Sequence, residues 1–220
     1  MMTSWDRAAA LPLLAAGLLG LAGCGASTTP MAAAPGTIAG TVLFNGQAAP
    51  GRNVTLFSSS DGGTTWTSTN QFVATDGGGN FQFNGLQAGT YMVQYLSNAG
   101  SVAANEFVYW RTAAQSITTA GVTCPAFDIA YGGQLTPPDQ ATVTAPITFQ
   151  WSTGATAIRY EVNLYTHGSA GAPLWTSAWV TNPAVTLTQA VPTGSYDWEV
   201  VVDGGATGIG VSRRRTILFQ

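Results

Sequence analysis

From residue 37 onward, apolar side chains recur at every second position in short runs, and each run stops at Gly, Asn, Asp or Pro. No stretch sustains the i, i+3, i+4, i+7 spacing of an amphipathic helix, so the chain is committed to half-buried strands and an all-β fold. In 37–44, Ile38, Val42 and Phe44 share one parity, and further strands are expected at 54–57, 71–75, 81–83 and 90–95. Asn45-Gly46, Asp61-Gly62-Gly63 and the run D-G-G-G-N at 76–80 separate them, because these residues tolerate positive φ. The alternation is cleaner later on. Ile147, Phe149 and Trp151 form one apolar row, Tyr160, Val162 and Leu164 a second, and Tyr196, Trp198, Val200 and Val202 a third. Gln150, Glu161, Asn163, Asp197 and Glu199 take the opposite parity and are expected to face water. A Pro-rich hinge at 135–139 divides the two blocks. The expected architecture is two tandem antiparallel β-sandwiches, over 37–132 and 135–220.

The amino terminus has a different character. Residues 8–22 form a 15-residue apolar run behind the single basic side chain of Arg7. As a helix the run reaches about 22 Å, short of the roughly 30 Å hydrocarbon core, so it reads as the apolar core of a signal peptide over 1–23. It ends in Leu21-Ala22-Gly23-Cys24, which resembles the lipobox of bacterial lipoproteins. That resemblance implies a diacylglyceryl thioether on Cys24, cleavage before it, and attachment to the cell envelope through the lipid. The absence of Asp at Gly25 implies the outer membrane if the organism is Gram-negative. Each buried CH₂ contributes about 0.8 kcal/mol, so two or three acyl chains anchor stably. Residues 24–36 then carry no charge and form a tether with a reach of about 19 Å. With Cys24 lipidated, Cys124 is the one remaining thiol, and its apolar setting V-T-C-P-A-F reads as a small buried hydrophobe.

Two further resemblances concern the β blocks. G-T-I-A-G-T-V (36–42), P-G-R-N-V-T-L (50–56), A-T-D-G-G-G-N-F-Q-F (74–83) and G-L-Q-A-G-T-Y-M-V (85–93) resemble the carboxypeptidase regulatory-like, transthyretin-type domain. This implies an accessory sandwich without catalytic residues, closing with a strand at 127–131 after a longer loop within 98–123. Trp151 and V-P-T-G-S-Y-D-W-E-V (191–200) resemble a fibronectin type III-like domain, with Tyr196 in a tyrosine corner. Ser59-x-Asp61-x-Gly63-x-x-Trp66 resembles the Asp-box of β-hairpins, in which carboxylate and hydroxyl cap a turn under a Trp.

The side-chain inventory limits the chemistry. Only 8% of residues are charged, the net charge is −3, and all seven cations are Arg. That argues against a nucleic-acid surface and excludes lysine-based catalysis. With one histidine, His167, neither a His-rich metal cage nor a Ser-His-Asp enzyme is expected, and no cofactor loop is present. Three groups remain to be placed. Asp197 and Glu199, about 7 Å apart on one strand face, read as members of cross-strand ion pairs with Arg159 and Arg213–Arg215, or as a carboxylate pair if they line a cleft. Arg213, Arg214 and Arg215 read as edge-strand gatekeepers, or as an anion site; Arg214 should face water, with a bulge resolving the parity of the other two. Trp175 and Trp179 would project about 13 Å apart from one strand face, as core or as a stacking platform for sugar rings. The reading is a non-enzymatic, lipid-anchored envelope protein acting as a binding, adhesion or spacer module, with an envelope protein or polysaccharide as partner. The alternatives are a carbohydrate-binding lipoprotein using Trp175 and Trp179, and an envelope glycoside hydrolase built on Asp197 and Glu199.

Overall fold

The computed structural model describes residues 33–97, 106–152 and 157–220. Cys24 and the signal peptide, with all but the last residues of the tether, lie outside them. The first ten strands are β1 (Ile38–Phe44), β2 (Gln47–Ala48), β3 (Asn53–Ser59), β4 (Thr67–Ala74), β5 (Asn80–Phe83), β6 (Gly89–Leu96), β7 (Tyr109–Arg111), β8 (Gln115–Ile117), β9 (Val122–Thr123) and β10 (Phe127–Asp128). The remaining nine are β11 (Gln134–Thr136), β12 (Ala141–Val143), β13 (Ile147–Trp151), β14 (Arg159–Thr166), β15 (Trp175–Thr176), β16 (Ala184–Leu187), β17 (Gly194–Asp203), β18 (Ile209–Val211) and β19 (Arg215–Phe219). One 3-10 turn, Gly205–Thr207, links β17 to β18. The fold is all-β and built of stacked sheets.

In the first sandwich β1 is the hub of one layer, pairing with β5 and β9 along its first half and with β10 and β2 along its second. The opposing layer contains β4, β3, β6 and β7. Ile38 and Val42 of β1 are fully buried against Val54, Leu56 and Val93 of that layer within one apolar cluster. The Asn45-Gly46 turn has φ of 52° and 73°, and the buried Asp128 carboxylate accepts both of its N–H groups at 3.1 and 2.6 Å. The expected final strand shrinks to Phe127–Asp128, and the sheets are not purely antiparallel: β1 runs parallel to both β9 and β10, and β12 runs parallel to β19.

In the second sandwich β11, β13 and β16 face β15, β14, β17 and β19, the three-against-four division of immunoglobulin-like folds. Phe149 packs 4.9 Å from Trp198 and Trp151 lies 5.4 Å from Tyr160, so the alternate aromatic residues form the filling between layers. The Tyr196 hydroxyl donates to the Pro192 carbonyl at 3.0 Å, as the tyrosine corner requires.

The two sandwiches are joined edge to edge. β7 pairs antiparallel with β6 on one side and with β18 on the other, in the register Ile209↔Arg111, Gly210↔Trp110, Val211↔Tyr109. Sheets from the two halves thereby become one continuous sheet of 11 strands. Trp110 explains why this seam holds. Its indole is fully buried, stacks on Phe127 at 6.0 Å, and donates from Nε1 to the Thr207 carbonyl across the seam at 2.8 Å. Opposite it only glycine fits: a Cβ on Gly210 would lie 2.4 Å from the indole Cε3. Gly208, at φ 116°, is needed as well, because a Cβ there would lie 1.9 Å from the Arg111 carbonyl oxygen.

Candidate functional site

The expected water-facing side of β17 is instead sealed. Asp197, Glu199 and Asn163 are all more than nine-tenths buried. Glu199 accepts from the Tyr165 hydroxyl at 2.7 Å and from Arg214 Nε at 2.9 Å, while the Arg214 guanidinium lies 3.6 Å from the Tyr165 ring centre and donates to the Ser169 carbonyl. Asp197 accepts from the Gly168 N–H and the Thr216 hydroxyl and bonds His167 Nδ1 at 2.8 Å. Burial alone would raise the Asp197 pKa, but the bonds from Gly168, His167 and Thr216 outweigh it and hold it below the usual carboxylate value. Burial and then the Glu199 bond push Tyr165 up to about 12. The carboxylate pair is thus an internal brace tying the 167–169 turn and Arg214 to the sheet, its oxygens engaged by these neighbours.

Sequence reasoning placed Arg214 in water because the face it shares with Asp197 and Glu199 was expected to be open. Val201 pairs with Val211 and Trp198 with Arg215, so Glu199 and Val200 oppose Ser212, Arg213 and Arg214. This is the anticipated bulge; the β19 ladder, continued from Asp197↔Thr216 and Trp198↔Arg215, already sets Arg214 opposite Glu199, and the extra residue falls at Ser212–Arg213. Ser212 Oγ takes the Val200 N–H at 2.8 Å at this break. The three arginines consequently point to different surroundings: Arg213 is exposed, Arg214 is bound to Glu199, and Arg215 stands opposite Trp198. Nor do they guard an open edge, since β12 covers Ile217–Phe219.

The same arithmetic separates the two tryptophans. Leu164 pairs with Trp175 and Tyr160 bridges to Val180, so three residues of β14 oppose four of the other segment. The parity flips between them. Trp175 is turned inward and stacks on Phe149 at 6.1 Å, whereas Trp179, 36% exposed, carries the Arg159 guanidinium 4.7 Å over its ring. They share no platform. Cys124 is buried and unpaired, with its thiol pushed up to about 12 by burial.

The Asp-box forms as expected. Ser59 Oγ accepts the Gly63 N–H at 2.8 Å, and Asp61 accepts the Thr64 and Thr65 N–H groups at 3.0 and 2.9 Å, leaving Trp66 across Gly63. What the sequence left unseen is where this brace lies. Trp66 forms one wall of a groove of about 490 Å³ whose opposite wall is the Gly205–Gly208 turn of the second sandwich. Its floor is the continuous sheet at the seam: Met92 of β6, Tyr109 and Arg111 of β7, and Ile209 of β18. This size falls within the range of small-ligand clefts, about 300–1,000 Å³. Arg111 is exposed, donates from Nε to Gln94 at 2.9 Å, and lies 5.1 Å from the Tyr109 ring centre. Asp203 also lines the groove, but one of its oxygens holds Arg159 at 2.7 Å and the other the Gly205 N–H at 2.7 Å. Burial raises the Tyr109 pKa. The signal for these residues was F-V-Y-W at 107–110, a run rich in strand formers, inside a stretch expected to be loop.

No family model matches this chain, and no curated protein matches it. Among solved structures it is similar to a DUF3823 family protein from Bacteroides uniformis, at 12% identity over 84% of this chain and 100% of that one, with a TM-score of 0.33. It is similar also to the FN1–FN3 domains of chicken CNTN1, at 13% identity over 84% and 66% of the two chains, with a TM-score of 0.31. The full-length major pilin SpaD of Corynebacterium diphtheriae gives 11% identity over 84% and 66%, with a TM-score of 0.35. Similarity at this level assigns neither family nor function.

Proposed function

We propose that the chain is a non-enzymatic, lipid-anchored module of the cell envelope that binds a ligand at the groove between its sandwiches. In this reading 1–23 is the signal peptide, Cys24 and the tether to residue 36 fix the protein to the membrane, 37–132 is a carboxypeptidase regulatory-like sandwich and 135–220 a fibronectin type III-like one. The observation that carries it is the β7–β18 seam. Strand pairing across it gives one stiff body and places side chains from both halves around a single concave surface. Asp197 and Glu199 support the non-enzymatic reading, because their oxygens are already engaged by Tyr165, Arg214, His167 and Thr216.

Expression of the full chain in a bacterium with a labelled fatty acid tests the anchor. Label on the protein and recovery with the membranes are expected, and Cys24→Ser should lose both. An unlabelled, freely soluble wild type would overturn the anchored reading.

A further inference from the structure

We propose that the seam groove is a binding site for an acidic oligosaccharide, with Trp66 stacking on a sugar ring and Arg111 pairing with its carboxylate. The inference rests on the binding-module reading and adds the class of ligand. Three observations lead to it. The groove has a half-exposed indole on one wall, and Met92 and Ile209 beside Tyr109 on its floor, which suits a ligand with flat apolar faces and polar edges. Its net charge comes from one group. Asp203 is neutralised by Arg159, whereas Arg111 forms no salt bridge among the described residues and uses only Nε within the protein. The terminal guanidinium nitrogens are left for a planar carboxylate, which they match in a two-bond fork.

The third observation favours a sugar over an acidic peptide strand. A peptide that docks as an added strand needs a free sheet edge. Here β7 is paired on both sides, by β6 and β18, and β18 is paired by β7 and β17. The groove floor therefore offers side chains without backbone donors or acceptors, and the Asp-box turn and the Gly205–Gly208 turn stand as its opposite walls. A few rings with a single carboxylate fit that enclosure.

Affinity electrophoresis of the full chain in mild detergent, through gels containing alginate, polygalacturonate, polyglutamate or neutral dextran, tests the assignment. Retardation by a polyuronate and not by dextran is expected. Arg111→Gln should weaken it at least tenfold while leaving the melting temperature in place, and Trp66→Ala should abolish it. Because Trp66→Ala removes part of the hairpin brace, Trp66→Phe provides a folded variant that should retain partial binding. Arg213→Gln, at an exposed cation that does not line the groove, should bind as wild type. No retardation by either polyuronate, equal retardation by dextran, retardation by polyglutamate alone, or equal losses in Arg111→Gln and Arg213→Gln would each overturn the proposal. A membrane-anchored chain that ignores polyuronates fails the ligand assignment alone; a soluble, unlabelled chain fails the anchored reading.

Discussion

Replacing Gly210 with alanine puts a methyl group into space that the Trp110 indole occupies. The new Cβ would lie 2.4 Å from Cε3, 2.7 Å from Cζ3 and 3.2 Å from Phe107 Cδ1. The indole has little room to yield, because it is fully buried, stacked on Phe127 and tied to the Thr207 carbonyl. Overpacking of this kind costs about 1–3 kcal/mol. Alanine also restricts the unfolded chain, which works the other way by about 0.4–1 kcal/mol. The steric term wins, leaving a net loss of about 1–2 kcal/mol. At about 2–4 °C per kcal/mol for a chain of this size, the melting temperature should fall by about 2–8 °C. Circular dichroism of Gly210→Ala beside Gly171→Ala makes the comparison, since a Cβ on Gly171 meets nothing nearer than Ser169 Oγ at 3.4 Å. Equal melting temperatures for the two variants would refute the claim that Trp110 and Gly210 interlock at the seam.

Other perturbations probe the second sandwich. Ser212→Ala should destabilise by about 1–3 kcal/mol in a denaturant titration, because it leaves the buried Val200 N–H without the hydroxyl that now accepts it. Trp175→Ala should destabilise toward the lower end of about 3–5 kcal/mol, given its stacking on Phe149, whereas Trp179→Ala should cost at most about 1 kcal/mol. Asp197 has a folded pKa below its unfolded value of about 3.9. Its contribution is therefore fully present above pH 4 and is lost as pH falls through the lowered folded value. Asp197→Asn should remove that part of the acid sensitivity in a pH series of melts.

Much of the strand pattern was legible because it depends on nearest neighbours. The period-two rows of β13 and β17, the positive-φ turn at Asn45-Gly46 and the Asp-box are each written within a few residues. The errors have two causes. Parity holds only while a strand is unbroken: extra residues interrupt the ladders at 212–214 and 176–179, and the second reversed the expected face of Trp179. Those breaks are stabilised by Ser212 and Ser177, whose hydroxyls take the Val200 and Val162 N–H groups. A lone serine in sequence does not announce that. The outer face of β17 was misjudged for a second reason: what covers it, Arg214 and the 167–169 turn, is set by pairing with the distant β19 and by the loop after β14. β7 was missed because it spans only Tyr109–Arg111, and its partners are β6 and β18, the latter about 100 residues downstream. The groove exists only through that distant pairing, so no local motif foretold it.

Native-state hydrogen exchange across the β7–β18 seam is the most direct test of the account. The Val108 amide donates to the Val211 carbonyl at 2.8 Å, and the Ile209–Val211 ladder follows it. If the sandwiches form one continuous sheet, these amides should exchange as slowly as those of β3 and β6, and Gly210→Ala should speed them selectively. Exchange at the rate of an exposed loop, with β3 and β6 still protected, would mean that the two halves are not joined there and that the groove between them does not persist.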